Sequence, residues 1–230
     1  RRVVARPLAS LYPRLHHQNV ALRTAFLDQR VQEQIDAACE RREAALVVSL
    51  GVGFDLRSLR LSAPAGGECS WAEIDLAHVI EQRRRLLRRF ARRRPHLEPR
   101  TSDLTLLSAN LSAPADVTAS LRTALSQARE GSTCVIFVVE ALLIYLEPPD
   151  ALALLRACSA EAAAAAGVSR VCLCFADQLP QMGRSFECAD ASALLREARF
   201  ELDESSWLPK PGLARHMGVA YGLPPPGAQA

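Results

Sequence analysis

The sequence predicts an α/β fold, a doubly wound and mostly parallel sheet of seven strands that ends in an antiparallel hairpin. Five apolar, strand-like runs alternate with helical patterns, which is typical of parallel strands covered by helices on both faces. The first run leads straight into a Gly-x-Gly turn at Gly51, where sheets of this kind bind ligands. After the last helix, turn signals at Pro209 and at Pro211-Gly212 separate two further runs, which predicts the hairpin.

The elements follow in chain order, each from its own pattern. Apolar positions at helical spacing predict a helix over 19–42, ahead of a strand that begins at Leu46. A short helix at 58–61 and a strand at 69–74 come next, and then a long helix that Pro95 and Pro99 end. The remaining predicted strands and helices alternate along the chain: strands at 104–111, 133–140, 168–175, 200–207 and 213–221, helices at 114–129, 147–166 and 192–198.

The composition is that of one globular domain of ordinary size. The 230 residues are 49% hydrophobic and 23% charged, and no apolar run reaches the roughly 18 residues that a membrane span needs. No signal-peptide pattern opens the sequence. Seven cysteines without a Cys-x-x-Cys motif favour reduced thiols and predict no metal site. We therefore expect a cytoplasmic protein with no membrane contact.

The glycine turn, Gly51-Val52-Gly53-Phe54-Asp55, is the stretch around which the chain is organised. Gly51 and Gly53 lack a Cβ, so the backbone can turn tightly there and lie against a ligand. Asp55 is predicted to cap a helix that starts near Leu56, with the positive helix end facing the same crevice. Leu56 stands where a dinucleotide fingerprint requires a third glycine, so the sequence does not favour a pyrophosphate ligand.

Acidic residues end two of the predicted strands. Glu73-Ile74-Asp75 lies about 20 residues beyond the glycine turn, where an acid accepts hydrogen bonds from ribose hydroxyls. Glu140 ends the most apolar strand and needs a partner or a cation, because burying a lone carboxylate is costly. A glycine turn and a ribose acid without the phosphate fingerprint favour a nucleoside ligand, S-adenosylmethionine above all. The alternative is an ordinary α/β turn with a capping Asp.

Eight arginines crowd the segment Arg83–Arg94 and give most of the local positive charge. Val79, Ile80, Leu86, Leu87 and Phe90, before and among the arginines, are predicted to form one apolar helical stripe. One interpretation is a solvated helix face, and the other is a contact for RNA or an acidic protein. No aromatic side chains interleave the arginines, which favours the solvated face.

Four segments, in order and at fitting separations, resemble the motifs of one known family. They are 48–55 with Arg60-Leu61 ("LGAGxD…RL"), 73–76 with Val79-Ile80 ("EVDFP…V"), 140–146 ("E-x-x-L-x-Y-L/M") and Arg215-His216-Met217 ("RHY"). Together they are similar to the leucine carboxyl methyltransferase family of S-adenosylmethionine-dependent enzymes, over about residues 23–221. The resemblance implies the Rossmann-like fold of class I methyltransferases, with residues 1–222 as a single domain, 1–45 as its N-terminal lid and helix, and 223–230 as a disordered tail.

The resemblance assigns roles at the methionine end of the cofactor. It implies that Arg23 binds the methionine carboxylate through a bidentate pair. Gly51 and Gly53 would let the backbone lie against the methionine portion, and Glu140 would close the pocket near the amino group and sulfonium. Without the family pattern, Arg23 would be interpreted as a surface helix charge.

The resemblance also assigns roles at the nucleoside end and at the reacting side. It implies that Asp75 holds the ribose hydroxyls and that Asn110 and Leu111 lie at the adenine, where the family has Asp-Leu. The Asn110 carbonyl would accept from the adenine amino group. Tyr145 would line the reacting side as the catalytic residue; its alternative is an ordinary core aromatic.

The resemblance implies an S-adenosylmethionine-dependent O-methyltransferase, acting by in-line displacement on a protein or small-molecule carboxylate. Such a reaction needs no general base, metal or covalent residue, because the nucleophile is already ionised. His216 is expected to be structural, and His16 and His17 are candidates for the lid. Two alternatives stay open: a tRNA-modifying relative that uses the Arg83–Arg94 segment, and a catalytically silent interaction protein.

Overall fold

A single sheet of seven strands forms the centre of the structure, a computed structural model that describes residues 14–94, 104–129, 132–209 and 216–224. The strands are β1 (Ala44–Leu50), β2 (Cys69–Asp75), β3 (Leu104–Ser108), β4 (Thr133–Glu140), β5 (Val168–Asp177), β6 (Phe200–Leu202) and β7 (His216–Gly222). The helices are α1 (Arg14–Glu40), α2 (Arg57–Arg60), α3 (Ala77–Arg93), α4 (Pro114–Leu125), α5 (Pro148–Ala164) and α6 (Cys188–Glu197), with 3₁₀ turns at Leu143–Tyr145 and Glu204–Ser206.

The strand order confirms the predicted fold class. Across the sheet it is β3-β2-β1-β4-β5-β7-β6, with β1 to β5 parallel and β7 antiparallel to both β5 and β6. The chain order reverses between β1 and β4, so a crevice opens at the carboxyl ends of these two neighbours. The glycine turn follows β1 and Glu140 ends β4, which places both at this crevice.

Two apolar layers cover the sheet because alternate side chains of each strand point to opposite faces. Leu46 and Val48 join the layer that α4, α5 and α6 cover, whereas Val47 packs in the layer that α1 covers with Val31 and Ile35. The burial of β4 on both faces explains its unbroken apolar sequence. Within the described ranges, no helix combines the length and the apolar character needed to cross a bilayer.

The C-terminal part differs from the sequence prediction in one element. The strand expected over 200–207 stops at Leu202, because the Asp203 side chain accepts from Ser205 N at 3.0 Å and turns the chain into a 3₁₀ helix. Leu223 N donates to Arg199 O at 2.9 Å, one residue before the last described residue. Several of the predictions fall outside the described residues. They concern the first 13 residues, Pro95 and Pro99, Pro211-Gly212, Arg215, residues 225–230 of the predicted tail, and the side chains of His16 and His17.

Candidate functional site

Two neighbouring cavities open at the carboxyl ends of β1, β2 and β4, and Gly51 lines both of them. The first, here named the charged cavity, has a volume of about 310 Å³ and is lined by Arg23, Arg57 and Glu140 among others. The second, named the wide cavity, has a volume of about 560 Å³ and lies on the side of Asp75. The predicted cofactor residues therefore come together, but they line two adjoining cavities instead of one hollow.

An ion pair closes one side of the charged cavity. Arg23 reaches from α1 to the end of β4, where its Nε donates to Glu140 Oε1 at 2.5 Å. The two side chains are 17% and 18% exposed, so a ligand can reach both. Glu140 thus has the partner that its position after an apolar strand requires, and Arg23 is more than a surface helix charge.

Arg57 is the most buried charge at the site, with 1% of its side chain exposed, and the sequence prediction missed it. Its Nη1 donates to Asp55 Oδ2 at 2.7 Å and to Glu140 Oε2 at 2.5 Å, and its Nε donates to Asp28 Oδ1 at 2.7 Å. Burial alone would lower the pKa of the guanidinium, but the carboxylates of Asp55, Glu140 and Asp28 outweigh it and raise the pKa above its ordinary value. Arg57 therefore joins α1, the glycine turn and β4.

The main contact of Asp55 is its ion pair with Arg57, and its role as a helix cap is small. The helix that it was expected to cap, α2, has four residues and Leu56 at its N-cap position. Asp55 Oδ1 does accept from Arg57 N at 3.1 Å. Because α2 is a single turn, the predicted contribution of a helix dipole to the crevice does not arise.

The glycine turn and Asp75 hold each other at the boundary between the cavities. Gly51 and Gly53 have φ angles of +63° and +51°, which glycine adopts without strain. Asp75 Oδ2 accepts from Gly53 N at 2.7 Å and its Oδ1 from Leu76 N at 2.7 Å. Each carboxylate oxygen keeps further accepting capacity, so Asp75 can still accept from a ligand in the wide cavity.

Glu73, the other acid of that segment, is structural. It is buried and accepts from Arg83 Nε and Nη2 at 2.5 Å each and from Ser58 Oγ at 2.7 Å. Arg83 is 2% exposed, so it does not belong to the solvated surface predicted for Arg83–Arg94. An RNA contact on α3 would have to use the arginines beyond it.

Asn110, Leu111 and Tyr145 all line the wide cavity. Asn110 Oδ1 accepts from Ser112 N at 3.1 Å and from Ser112 Oγ at 2.8 Å, so both its lone pairs are engaged. As the side chain stands, the amide would meet a ligand through its N–H groups. Acceptance from an adenine amino group, which stays a prediction, requires Ser112 to release Oδ1. Tyr145 is 80% exposed, which excludes the core-aromatic alternative.

A second missed residue, Asp177, fixes the turn that carries Tyr145. It is 0% exposed at the end of β5, and it accepts from Leu142 N at 2.5 Å, Leu143 N at 2.7 Å and Ile144 N at 3.2 Å. Burial raises the pKa of Asp177 to about 6, and these N–H groups limit the rise. Its signal in the sequence is an acid placed directly after the apolar run 171–176.

His216 is buried next to Asp177 in the sheet register and lines neither cavity. Its Nδ1 accepts from Leu179 N at 3.0 Å and its Nε2 donates to Ser185 O at 2.8 Å, so it fastens the chain after β5. These contacts agree with the structural role expected for it.

Comparison with known proteins gives one family and several distant structures. The family model described as leucine carboxyl methyltransferase matches residues 6–159. No curated protein matches the chain. Among solved structures, TnmH is 14% identical with a TM-score of 0.50, covering 96% of this chain and 60% of that one.

Two further structures are weaker likenesses. "The structure of LepI complex with SAM" is 13% identical (TM-score 0.46; 78% of this chain, 43% of that one). An O-methyltransferase family protein from Burkholderia thailandensis is 13% identical (TM-score 0.47; 91% and 60%). The chain thus spans 43% to 60% of the lengths of these three proteins. At such identities the likeness to TnmH shows the fold alone.

Proposed function

Because the chain belongs to the leucine carboxyl methyltransferase family and has the class I methyltransferase fold, we propose that it binds S-adenosylmethionine and methylates an oxygen atom. The favoured acceptor is a carboxylate of a protein or a small molecule. The observation that supports this proposal best is the meeting of the Arg23–Glu140 ion pair, Gly51 and Asp75 at one crevice. The ion pair suits the two opposite charges of the methionine end. Gly51 lets a ligand lie flat against the backbone, and Asp75 suits the hydroxyls of a ribose.

The residues present fit the cofactor in kind. Arg23 offers donors to the methionine carboxylate and Glu140 offers an acceptor to the ammonium group. Asp75 can accept from the ribose hydroxyls, while Leu111 gives the wide cavity an apolar wall against the adenine.

The domain bounds and the compartment are also proposals. Residues 1–222 are proposed as one domain with 1–45 as its N-terminal lid and helix. The free cysteines among the described residues support a reducing, cytoplasmic compartment.

The cavity linings suit a nucleophile that needs no activation. When bound, the cofactor would supply an electrophilic methyl group; a carboxylate oxygen would form the new C–O bond as the C–S bond breaks, with S-adenosylhomocysteine as the leaving group and no proton transferred. Among the described residues, neither cavity is lined by His or Cys. The work of the chain is to align the reactants and exclude water, and Tyr145 at the rim is proposed to contact the acceptor.

A tRNA acceptor is the second candidate, and one observation favours it. Arg88, Arg89, Arg92, Arg93 and Arg94 are exposed, and no described residue forms an ion pair with them. A catalytically silent interaction protein is the third candidate, and it predicts that the cofactor does not bind.

Calorimetry with S-adenosylmethionine and S-adenosylhomocysteine tests the proposal first, since binding must also raise the unfolding temperature. A transfer screen with a labelled methyl group then finds the acceptor among protein, RNA and small-molecule fractions. A carboxylate acceptor gives a methyl ester that mild alkali hydrolyses to volatile methanol, whereas a methyl ether survives. Absence of cofactor binding would leave the silent protein as the better proposal.

A further inference from the structure

Glu140 is held by two arginines, one on each carboxylate oxygen. Arg23 Nε binds Oε1 at 2.5 Å and Arg57 Nη1 binds Oε2 at 2.5 Å. The two arginines differ in access, because Arg23 is 17% exposed and Arg57 is 1% exposed. Arg23 is therefore the arginine that can turn toward a ligand in the charged cavity, and turning its guanidinium loosens the single Nε contact with Glu140.

Arg57 has no comparable freedom. Besides Glu140, its guanidinium binds Asp28, Asp55 and the carbonyl oxygen of Thr24, so its donors are committed on three sides. Its position is therefore fixed from α1 and from the glycine turn, through contacts that do not involve Glu140.

We propose that Arg57 is a positioning residue for the cofactor's amino acid end: it keeps the Glu140 carboxylate aimed into the charged cavity when Arg23 moves to the ligand carboxylate. This inference rests on the proposed function. In the ligand complex, Glu140 Oε2 keeps Arg57 while Oε1 exchanges Arg23 for the ligand ammonium, so one ion pair is replaced by two. A ligand that lacks either charge cannot complete this exchange, so the site selects a free α-amino acid end.

The test compares two ligands that differ at that end, S-adenosylhomocysteine and 5′-methylthioadenosine, which has no amino acid portion. Arg57→Lys keeps the charge, but its single ammonium cannot serve three carboxylates. We expect it to weaken S-adenosylhomocysteine binding by about 10-fold to 100-fold, the range for one charged hydrogen bond. Binding of methylthioadenosine should change by less than about twofold. Arg122→Lys, which alters the distant Arg122–Glu161 pair, is the matched control and should change neither affinity.

Two further variants separate positioning from folding. Asp28→Asn removes the negative charge of one anchor of Arg57, and of the Arg60 pair that shares it, without touching either cavity lining. It should reproduce a smaller loss for S-adenosylhomocysteine alone. In a Glu140→Gln background, Arg57→Lys should cost little more, because its effect passes through Glu140. Thermal unfolding of each variant reports whether it folds. If Arg57→Lys does not fold, the affinities of Asp28→Asn for the two ligands test the positioning role instead.

Equal losses for both ligands, or full additivity with Glu140→Gln, would show that Arg57 only shapes the cavity and would overturn the inference. An unchanged affinity for S-adenosylhomocysteine in Arg57→Lys would overturn it as well. A wild-type protein that binds neither ligand would instead remove the proposed function, and this inference with it.

Discussion

Arg23 and Glu140 are 117 positions apart in the chain, yet the Nε of one and the Oε1 of the other lie 2.5 Å apart. The pair fastens the first helix of the structure to the end of the central strand β4. Because the pair is only partly buried, its opening costs less than that of a fully desolvated pair. A ligand that carries both a carboxylate and an ammonium group can offset that cost by forming one ion pair with Arg23 and one with Glu140. We therefore expect the two residues to exchange each other for the ligand when it binds.

Arg23→Gln should therefore weaken the binding of S-adenosylhomocysteine by about 10-fold or more, because a charged bidentate donor to the carboxylate is lost. The free energy of unfolding should fall by about 1–3 kcal/mol, because the pair is mostly shielded from water while Glu140 keeps Arg57 as a partner. Calorimetry and thermal unfolding measure the two quantities. Arg30→Gln, which alters the Arg30–Glu33 pair on the same helix, should leave the affinity unchanged. Similar losses in both variants would contradict the role of Arg23.

Gly51→Ala should damage both cavities at once. The new Cβ would lie 2.8 Å from Leu142 Cδ1, and the φ of +63° would be strained for alanine. The strain alone costs about 1–2 kcal/mol of stability. Gly66→Ala is the matched control, because it carries the same kind of strain (φ +84°) with nothing within 4 Å of its Cβ. Both variants should lose stability, and only Gly51→Ala should also lose cofactor affinity by calorimetry.

Asp177 gives the protein a pH-dependent stability term. Burial raises its pKa from 3.8 to about 6 in the folded state. Between these values the folded state binds more protons than the unfolded state, so this group makes the free energy of unfolding rise as the pH falls. The expected rise from pH 7 to pH 5 is about 1 kcal/mol. Denaturant unfolding of wild type and of Asp177→Asn at pH 7 and pH 5 measures this rise, because only the wild-type side chain can take up the proton.

Asp177→Asn should be less stable at pH 7, because an amide N–H group would face backbone N–H donors of the turn at Leu142 and Leu143. Its stability should nevertheless lack the rise on acidification that wild type shows. Parallel pH profiles of the two proteins would mean that Asp177 does not titrate in this range.

The sequence was sufficient wherever one local pattern decides the structure. β4 was predicted over 133–140 and runs from Thr133 to Glu140, because a strand buried on both faces must be apolar throughout. Gly51 and Gly53 were predicted to turn the chain, and their positive φ angles show why glycine is needed. Family motifs drew attention to Arg23 and Asp75, which the structure brings to adjoining cavities.

The buried charges could not be found in this way, because their partners lie far along the chain. Arg57 is one of 28 basic residues, and two of its carboxylate partners are 29 and 83 positions away. Nothing local indicates that it is buried. Arg83 did carry a signal: it shares helical spacing with Ile80 and Leu87, which are buried, so it lies on the apolar stripe and needs an acid such as Glu73.

The exposed arginines of α3 give a test of the RNA hypothesis that does not depend on the acceptor. If they contact phosphates, replacing Arg88, Arg89 and Arg92 with Gln should lower the slope of log affinity against log salt by about 2 for single-stranded RNA, at about 0.7 per contact. Filter binding at several salt concentrations measures this slope.

The control with the same charge change replaces three exposed arginines that already have acidic partners, Arg122, Arg156 and Arg196. Because ion-paired arginines release few counterions from RNA, the control slope should match wild type. Equal slopes in all three proteins would assign the α3 arginines to solvation alone, the interpretation that the lack of interleaved aromatics favours.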